Sequence, residues 1–282
     1  MPDLAILAFD LGGTDLKVAR IGDSGAVHGF TKLPSNASQG ESALFEAITS
    51  AAGSVGPSAS STIAGFGSPG VLHPESGVIV DQTPNLRLPA DFPMRSRLEQ
   101  LLGRRVVIDN DANCAALAEH TAGAARGARV SLTITVGTGV GCGIVIDGRV
   151  LRGSFGGAGE IGHLPLGSSG PACGCGVVGC AEPMASGSGL VARAQEAGMV
   201  VTSAREVFDS ADPRAAAVIE CMIDHLARML GAATTLLNPD VIVVGGGVAQ
   251  LVHGMTVVTR NVTDFQGTGA GLLNPWAWSD AK

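Results

Sequence analysis

The chain predicts an α/β protein whose strands end in glycine loops, and three observations carry that expectation. Apolar β-type runs recur at Leu4–Phe9, Ser131–Val136 and Asp240–Val244. Each reaches a glycine cluster within a few residues: Gly12-Gly13-Thr14, Gly137-Thr138-Gly139 and Gly245-Gly246-Gly247. A fourth β-type run, Arg105–Ile108, leads into an alanine-rich helical stretch, Cys114–Ala125. The 41 glycines exceed the needs of ordinary turns. Glycine directly after a strand lets the backbone come close to an anion.

Taken in order, Leu4–Phe9 reads as a buried strand, Leu16–Ile21 as its hairpin partner and Ala26–Phe30 as a third strand. The turn Asp10-Leu11-Gly12-Gly13-Thr14 would present backbone N–H groups and the Thr14 hydroxyl to an anion, with Asp10 placed to hold a hydrated Mg²⁺. An ordinary hairpin turn explains that segment equally well in isolation. Further along, Ser131–Val136, the glycine loop and Cys142–Ile146 repeat the strand–loop–strand pattern. Neither the P-loop nor the dinucleotide-fold glycine spacing is present. Two similar units therefore point to a duplicated nucleotide clamp. Asp109-Asn110-Asp111-Ala112-Asn113 precedes the alanine-rich helix. One such group suffices as an N-cap, and an Asp at a strand end suits a general base.

Gly159–Glu182 holds His163, Cys173, Cys175 and Cys180, one imidazole and three thiols suited to a closed tetrahedral zinc site. A disulfide is the weaker alternative. The start of the chain lacks the basic and apolar regions of an export signal, and Cys173 and Cys175 are poorly placed to bridge one another. Glu160 and Glu182 flank the ligands, so the loop reads as a metal clamp beneath a substrate pocket. Cys114, Cys142 and Cys221 are expected to be buried spectators.

Composition narrows the function. A chain of 282 residues with 45% apolar side chains holds one large domain or two modest ones. The net charge of −7 argues against a nucleic-acid surface, and no apolar run is as long as a membrane span. The expectation is a soluble, cytoplasmic protein.

Three motifs, DLGGT, NDAN and GEIGH followed by CGCGVVGCAE, resemble the ROK family of sugar kinases and sugar-responsive repressors, and within it the glucokinase-like kinases. The resemblance runs from residue 10 to the Gly245 loop. It implies an actin-like, hexokinase-like (ribonuclease H-like) fold with two α/β lobes, residues 1–118 and 119–282, and a central cleft. The implied activity is ATP-dependent phosphorylation of a hexose, glucose at its 6-hydroxyl first. N-acetylmannosamine, fructose or allose are the alternatives within that chemistry, and a catalytically impaired sugar-binding regulator is the alternative outside it. A DNA-binding repressor is disfavoured because the first strand begins by Leu4 without a basic helix.

By the same resemblance, Asp111 is the catalytic base, and Gly70, Asn85, Asn110, Glu160, His163 and Glu182 contact the sugar. Asp10, Gly12, Gly13 and Thr14, with Gly137, Thr138 and Gly139, hold the phosphates of Mg·ATP. Gly245, Gly246 and Gly247 lie beside the adenosine. Structural zinc is held by His163, Cys173, Cys175 and Cys180; the cysteine loop favours ATP over polyphosphate, and a homodimer is expected. Two departures stand out. Asp15 follows GGT where many members carry Lys, with Lys17 two residues on. After about Val258 the chain lacks helical periodicity where the family continues with helices.

Overall fold

The computed structural model describes residues 6–56, 63–81, 86–252, 256–259 and 271–273. The chain divides into two compact units, Met1–Cys114 with Arg152–Gly157, and Ala115–Leu151 with Ala158–Lys282.

The first unit is a five-stranded sheet with helices. Strands β1 (Ile6–Leu11), β2 (Asp15–Ile21) and β3 (Val27–Pro34) form an antiparallel meander. Helix α1 (Glu41–Ser54), β4 (Ile63–Ser68), α2 (Met94–Leu102) and β5 (Arg105–Asn110) follow, giving the sheet order β3-β2-β1-β4-β5. Alternation decides which face is buried: Leu7, Phe9 and Leu11 of β1 point into the core, while the residues between them do not. In α1 the buried Leu44, Ile48 and Ala51 recur at helical spacing and pack on that face. Phe9 stacks on Phe66 across the parallel pair, ring centroids 5.2 Å apart.

This topology brings distant motifs together. Strands β1, β4 and β5 are mutually parallel, and their register aligns Asp10 with Gly67 and Gly67 with Asp109. DLGGT, GSPG and NDAN therefore emerge side by side from the carboxyl ends of three adjacent strands, where ligand sites of open α/β sheets form.

The second unit begins within α3 (Asp111–Ala122). Its strands β6 (Val130–Val136), β7 (Val140–Ile146) and β8 (Arg149–Val150) form a second meander. Helices α4 (Glu182–Ala185), α5 (Gly187–Glu196), α6 (Ala204–Phe208) and α7 (Pro213–Leu237) precede β9 (Val241–Gly245), which pairs parallel with β6. All of β9 is buried because both its faces are covered. Ile242 and Val244 join the cluster containing Met222 and Met229 of α7, and Val241 and Val243 meet Ala125. The order β8-β7-β6-β9 repeats β3-β2-β1-β4, the duplication expected from the glycine loops.

Differences from expectation are local. Helix α3 starts at Asp111 rather than Cys114, because the Asn110 side chain caps it and draws NDAN into its first turn. Beyond Gly245 come a short helix, α8 (Gly247–Val252), then β10 (Thr256–Thr259) antiparallel to β9, and β11 (Gly271–Leu273) beside β10. The non-helical tail is thus strand where it is described.

Candidate functional site

In the first unit the site is built on strand ends. Asp10 and Lys17 are direct cross-strand partners, and Lys17 Nζ donates to Asp10 Oδ2 at 2.7 Å. Asp15, which follows this turn, pairs with Lys32 at 2.9 Å. Both pairs are largely exposed and contribute little stability; they leave the acidic turn charge-balanced. The turn is pinned from beneath by buried Ser35, whose N–H donates to the Thr14 carbonyl and whose hydroxyl donates to that of Gly13. The Gly12 N–H closes the turn on the Asp15 carbonyl at 2.7 Å.

At the β5–α3 corner each polar residue of DNDAN has its own task. Asn110 Oδ1 accepts the N–H groups of Ala112 and Asn113, satisfying helix donors that otherwise lack partners. Its Nδ2 donates to the Gly70 carbonyl at 3.1 Å, tying GSPG to NDAN. Asp109 Oδ1 accepts from Asn113 Nδ2 at 2.9 Å, while its Oδ2 receives Arg152. Asp111 stays exposed at the helix start, with Oδ1 accepting the Ala112 N–H at 2.8 Å. The structure thus brings Asp10, Gly70, Asn110 and Asp111 to one end of one sheet. Asn85 lies outside the described residues.

Of the three cysteines expected as buried spectators, only Cys142 is buried; Cys221 is half-buried and Cys114 keeps an exposed surface. Cys114 follows NDAN directly, and its Sγ lies against Gly67, where a Cβ would come within 3.6 Å. Burial of that sulfur pushes its thiol up to about 12, Asp109, Asp111 and Asp10 adding to the shift and Arg152 opposing it.

In the second unit the Gly137-Thr138-Gly139 turn joins β6 to β7. Gly187 N–H donates to the Gly137 carbonyl at 2.8 Å, and Ser188 Oγ donates to that of Thr138 at 2.6 Å. Ser188 was not among the expected residues. Its signal is the Ser-Gly-Ser run at the start of α5, where Ser186 caps the helix. Just after the neighbouring strand β9, Gly246 has φ +99°, and a Cβ there would lie 2.5 Å from the Val136 carbonyl oxygen. Only glycine lets these two loops approach so closely.

Next to this turn lies the cysteine loop. One ligand atom each from His163, Cys173, Cys175 and Cys180 falls within 4.8 Å of all the others. Cys175 Sγ and Cys180 Sγ are 3.6 Å apart, and Cys173 Sγ is 3.3 Å from His163 Nδ1. A tetrahedron with Zn–S bonds of about 2.3 Å has S···S edges of about 3.8 Å, so the donors fit zinc. All six cysteines are free thiols. With Nδ1 towards the sulfurs, His163 turns Nε2 to Glu160 Oε2, 3.8 Å away. Burial holds the Glu160 carboxyl above its usual range, Glu182 adding to the shift and His163 opposing it, although 42% of the side chain is exposed. Glu182, two residues after Cys180, accepts the Val140 N–H at 3.0 Å and so links the cysteine loop to the β6–β7 turn.

These features define an actin-like, hexokinase-like α/β protein. The chain belongs to the ROK family, whose profile matches residues 6–267. It is 36% identical over 275 residues to a glucokinase of Halalkalibacterium halodurans, covering 89% of this chain and 82% of that one. An N-acetylmannosamine kinase of Citrobacter koseri is 35% identical, with 92% and 88% covered. The crystal structure of a ROK family glucokinase from Streptomyces griseus in complex with glucose and AMPPNP superposes with a TM-score of 0.77 at 28% identity, over 88% of this chain and 86% of that one.

Proposed function

We propose that this chain is an ATP-dependent sugar kinase that transfers the γ-phosphoryl group to a hexose, glucose at its 6-hydroxyl first. The observation that carries this reading is the register of β1, β4 and β5, which lines up DLGGT, GSPG and NDAN. Phosphoryl transfer through a loose transition state asks mainly for positioning and charge stabilisation. Asp111, exposed at the start of α3, takes the proton of the attacking hydroxyl. Asn110, Gly70, Glu160, His163 and Glu182 bind the remaining hydroxyls, and Asn85 joins them. The turns at Gly12–Thr14 and Gly137–Gly139, with Asp10, receive the phosphates and Mg²⁺ that ATP brings, and Gly245–Gly247 lies beside the adenosine. Zinc on His163, Cys173, Cys175 and Cys180 supplies structure, since four protein ligands leave no open position. Bound there, it would hold His163 with Nε2 toward Glu160. The enzyme works as a cytoplasmic homodimer. Among the described residues no helix is long and apolar enough to cross a membrane.

A coupled ADP-release assay with Mg·ATP and a hexose panel tests the proposal. Turnover confined to glucose supports it. Preference for N-acetylmannosamine, the second reading favoured by the Citrobacter koseri relative, reassigns the sugar. Saturable sugar binding without turnover makes the chain a binding regulator.

A further inference from the structure

Arg152 is the residue in the polar corner that no motif accounts for. It begins a six-residue segment, Arg152–Gly157, that belongs to the first unit although the chain on either side belongs to the second. Its guanidinium engages one carboxylate oxygen of Asp109 twice, Nε at 2.8 Å and Nη2 at 2.6 Å. The Asp109 side chain is only 17% exposed. Its other oxygen accepts the Asn110 N–H at 2.8 Å and Asn113 Nδ2 at 2.9 Å. Asp109 is thereby held between Arg152 and the first turn of α3, and the next two residues of the chain, Asn110 and Asp111, belong to the site.

Charge makes the contact more than a tether. Asp10 of β1, Asp109 of β5 and Asp111 of α3 all raise the Cys114 thiol, so three carboxylates share one small region; Lys17 balances the first and Arg152 the second. The neighbouring β4 end, Gly67-Ser68, brings no charge. With Arg152 removed, Asp109 would be a partly buried, uncompensated anion two residues from Asp111. A neighbouring like charge disfavours the carboxylate form.

We propose that Arg152 is a positioning residue for the phosphoryl-transfer reaction, orienting Asn110 and Asp111 through Asp109. This rests on the reading of Asp111 as general base. In this role the guanidinium acts by holding Asp109.

The test compares Arg152→Met, Arg152→Lys, Asp109→Asn/Arg152→Met and Asp111→Asn in steady-state kinetics against pH, on the full chain with saturating Mg·ATP. Arg152→Met is expected to lower kcat by roughly 10- to 100-fold, as a small misplacement of reacting groups does, while KM for the sugar moves little. The acid limb of its kcat profile is expected to move up by about one pH unit, because Asp109 is left unpaired beside the base. Arg152→Lys keeps the charge without the fork, so its acid limb stays near that of the parent. Removing the stranded charge in Asp109→Asn/Arg152→Met is expected to return the acid limb even where kcat stays low. A kcat within twofold of the parent in Arg152→Met, or a loss with an unmoved acid limb in both Arg152→Met and the double variant, overturns the inference. Asp111→Asn separates the two readings: if it retains turnover, the general-base assignment fails, whereas its inactivity beside an unaffected Arg152→Met removes Arg152 alone.

Discussion

Cys175 shows how much one side chain contributes when it closes a four-donor set. It is exposed where Cys173 and Cys180 are buried, so its value lies in the metal it completes. Cys175→Ser is expected to reduce bound zinc from one per chain to near none. Loss of zinc should also lower the melting temperature and raise KM for the sugar together, read by elemental analysis, thermal melting and kinetics on one preparation. Unchanged zinc content would assign the metal elsewhere. Cys114 illustrates the opposite case, a residue whose chemistry is set by neighbours. With its thiol pushed up to about 12, it stays protonated where an ordinary thiol is already largely thiolate, by about pH 10. Its alkylation by iodoacetamide, followed by peptide mapping, is therefore expected to keep accelerating above pH 10; a plateau near pH 9 would contradict the local acidic field.

Elements are held by caps and close approaches as much as by propensity. Helix α7 opens on Asp212, whose Oδ1 accepts the Arg214 N–H at 2.9 Å, with Pro213 at its first position, and ends on Asn238 with φ 43°. The Arg214 side chain and backbone N–H hold the Asp212 carboxyl down at about 2. The sign follows from linkage: a depressed native value stabilises above the unfolded value, near 3.9, and the gain disappears as pH falls through about 2. Asp212→Ala is thus expected to lower the melting temperature by a constant amount from pH 7 to about 5, the gap closing between about pH 4 and 2. At the β9–α8 turn, Gly246→Ala would set a Cβ 2.5 Å from the Val136 oxygen in a backbone region that suits glycine. A loss of at least about 2 kcal/mol in chemical denaturation is expected, with a raised KM for ATP. In α1, fully buried Ile48→Ala should cost about 2–5 kcal/mol through the cavity it opens, with far less effect on KM.

On the scale of the whole molecule, the local rules reach a definite limit. Strand–glycine–strand repeats were readable from Leu16–Ile21 and Cys142–Ile146 because β-type runs and glycine clusters are contiguous signals. The cysteine loop was readable for the same reason, its four donors lying within 18 residues of chain from His163 to Cys180. By contrast, nothing in the order of residues marks the contacts of Arg152, Ser35 or Ser188, and the Ser-Gly-Ser run marks Ser188 only as part of a helix start. Their partners, Asp109, Thr14 and Thr138, lie 43, 21 and 50 residues away, and pairing over such distances depends on strand register and loop path. The tasks within DNDAN likewise emerged only when β5 and α3 met at a corner: three chemically similar groups became a charge partner for Arg152, a helix cap and an exposed carboxylate. By itself the sequence determined the class of fold, the glycine turns and the donor set for a metal, since each is written in neighbouring residues and short periods. Tertiary structure alone decided which carboxylate is left to face solvent and which is neutralised, because Asp109 meets its partner Arg152 from 43 residues away in the chain.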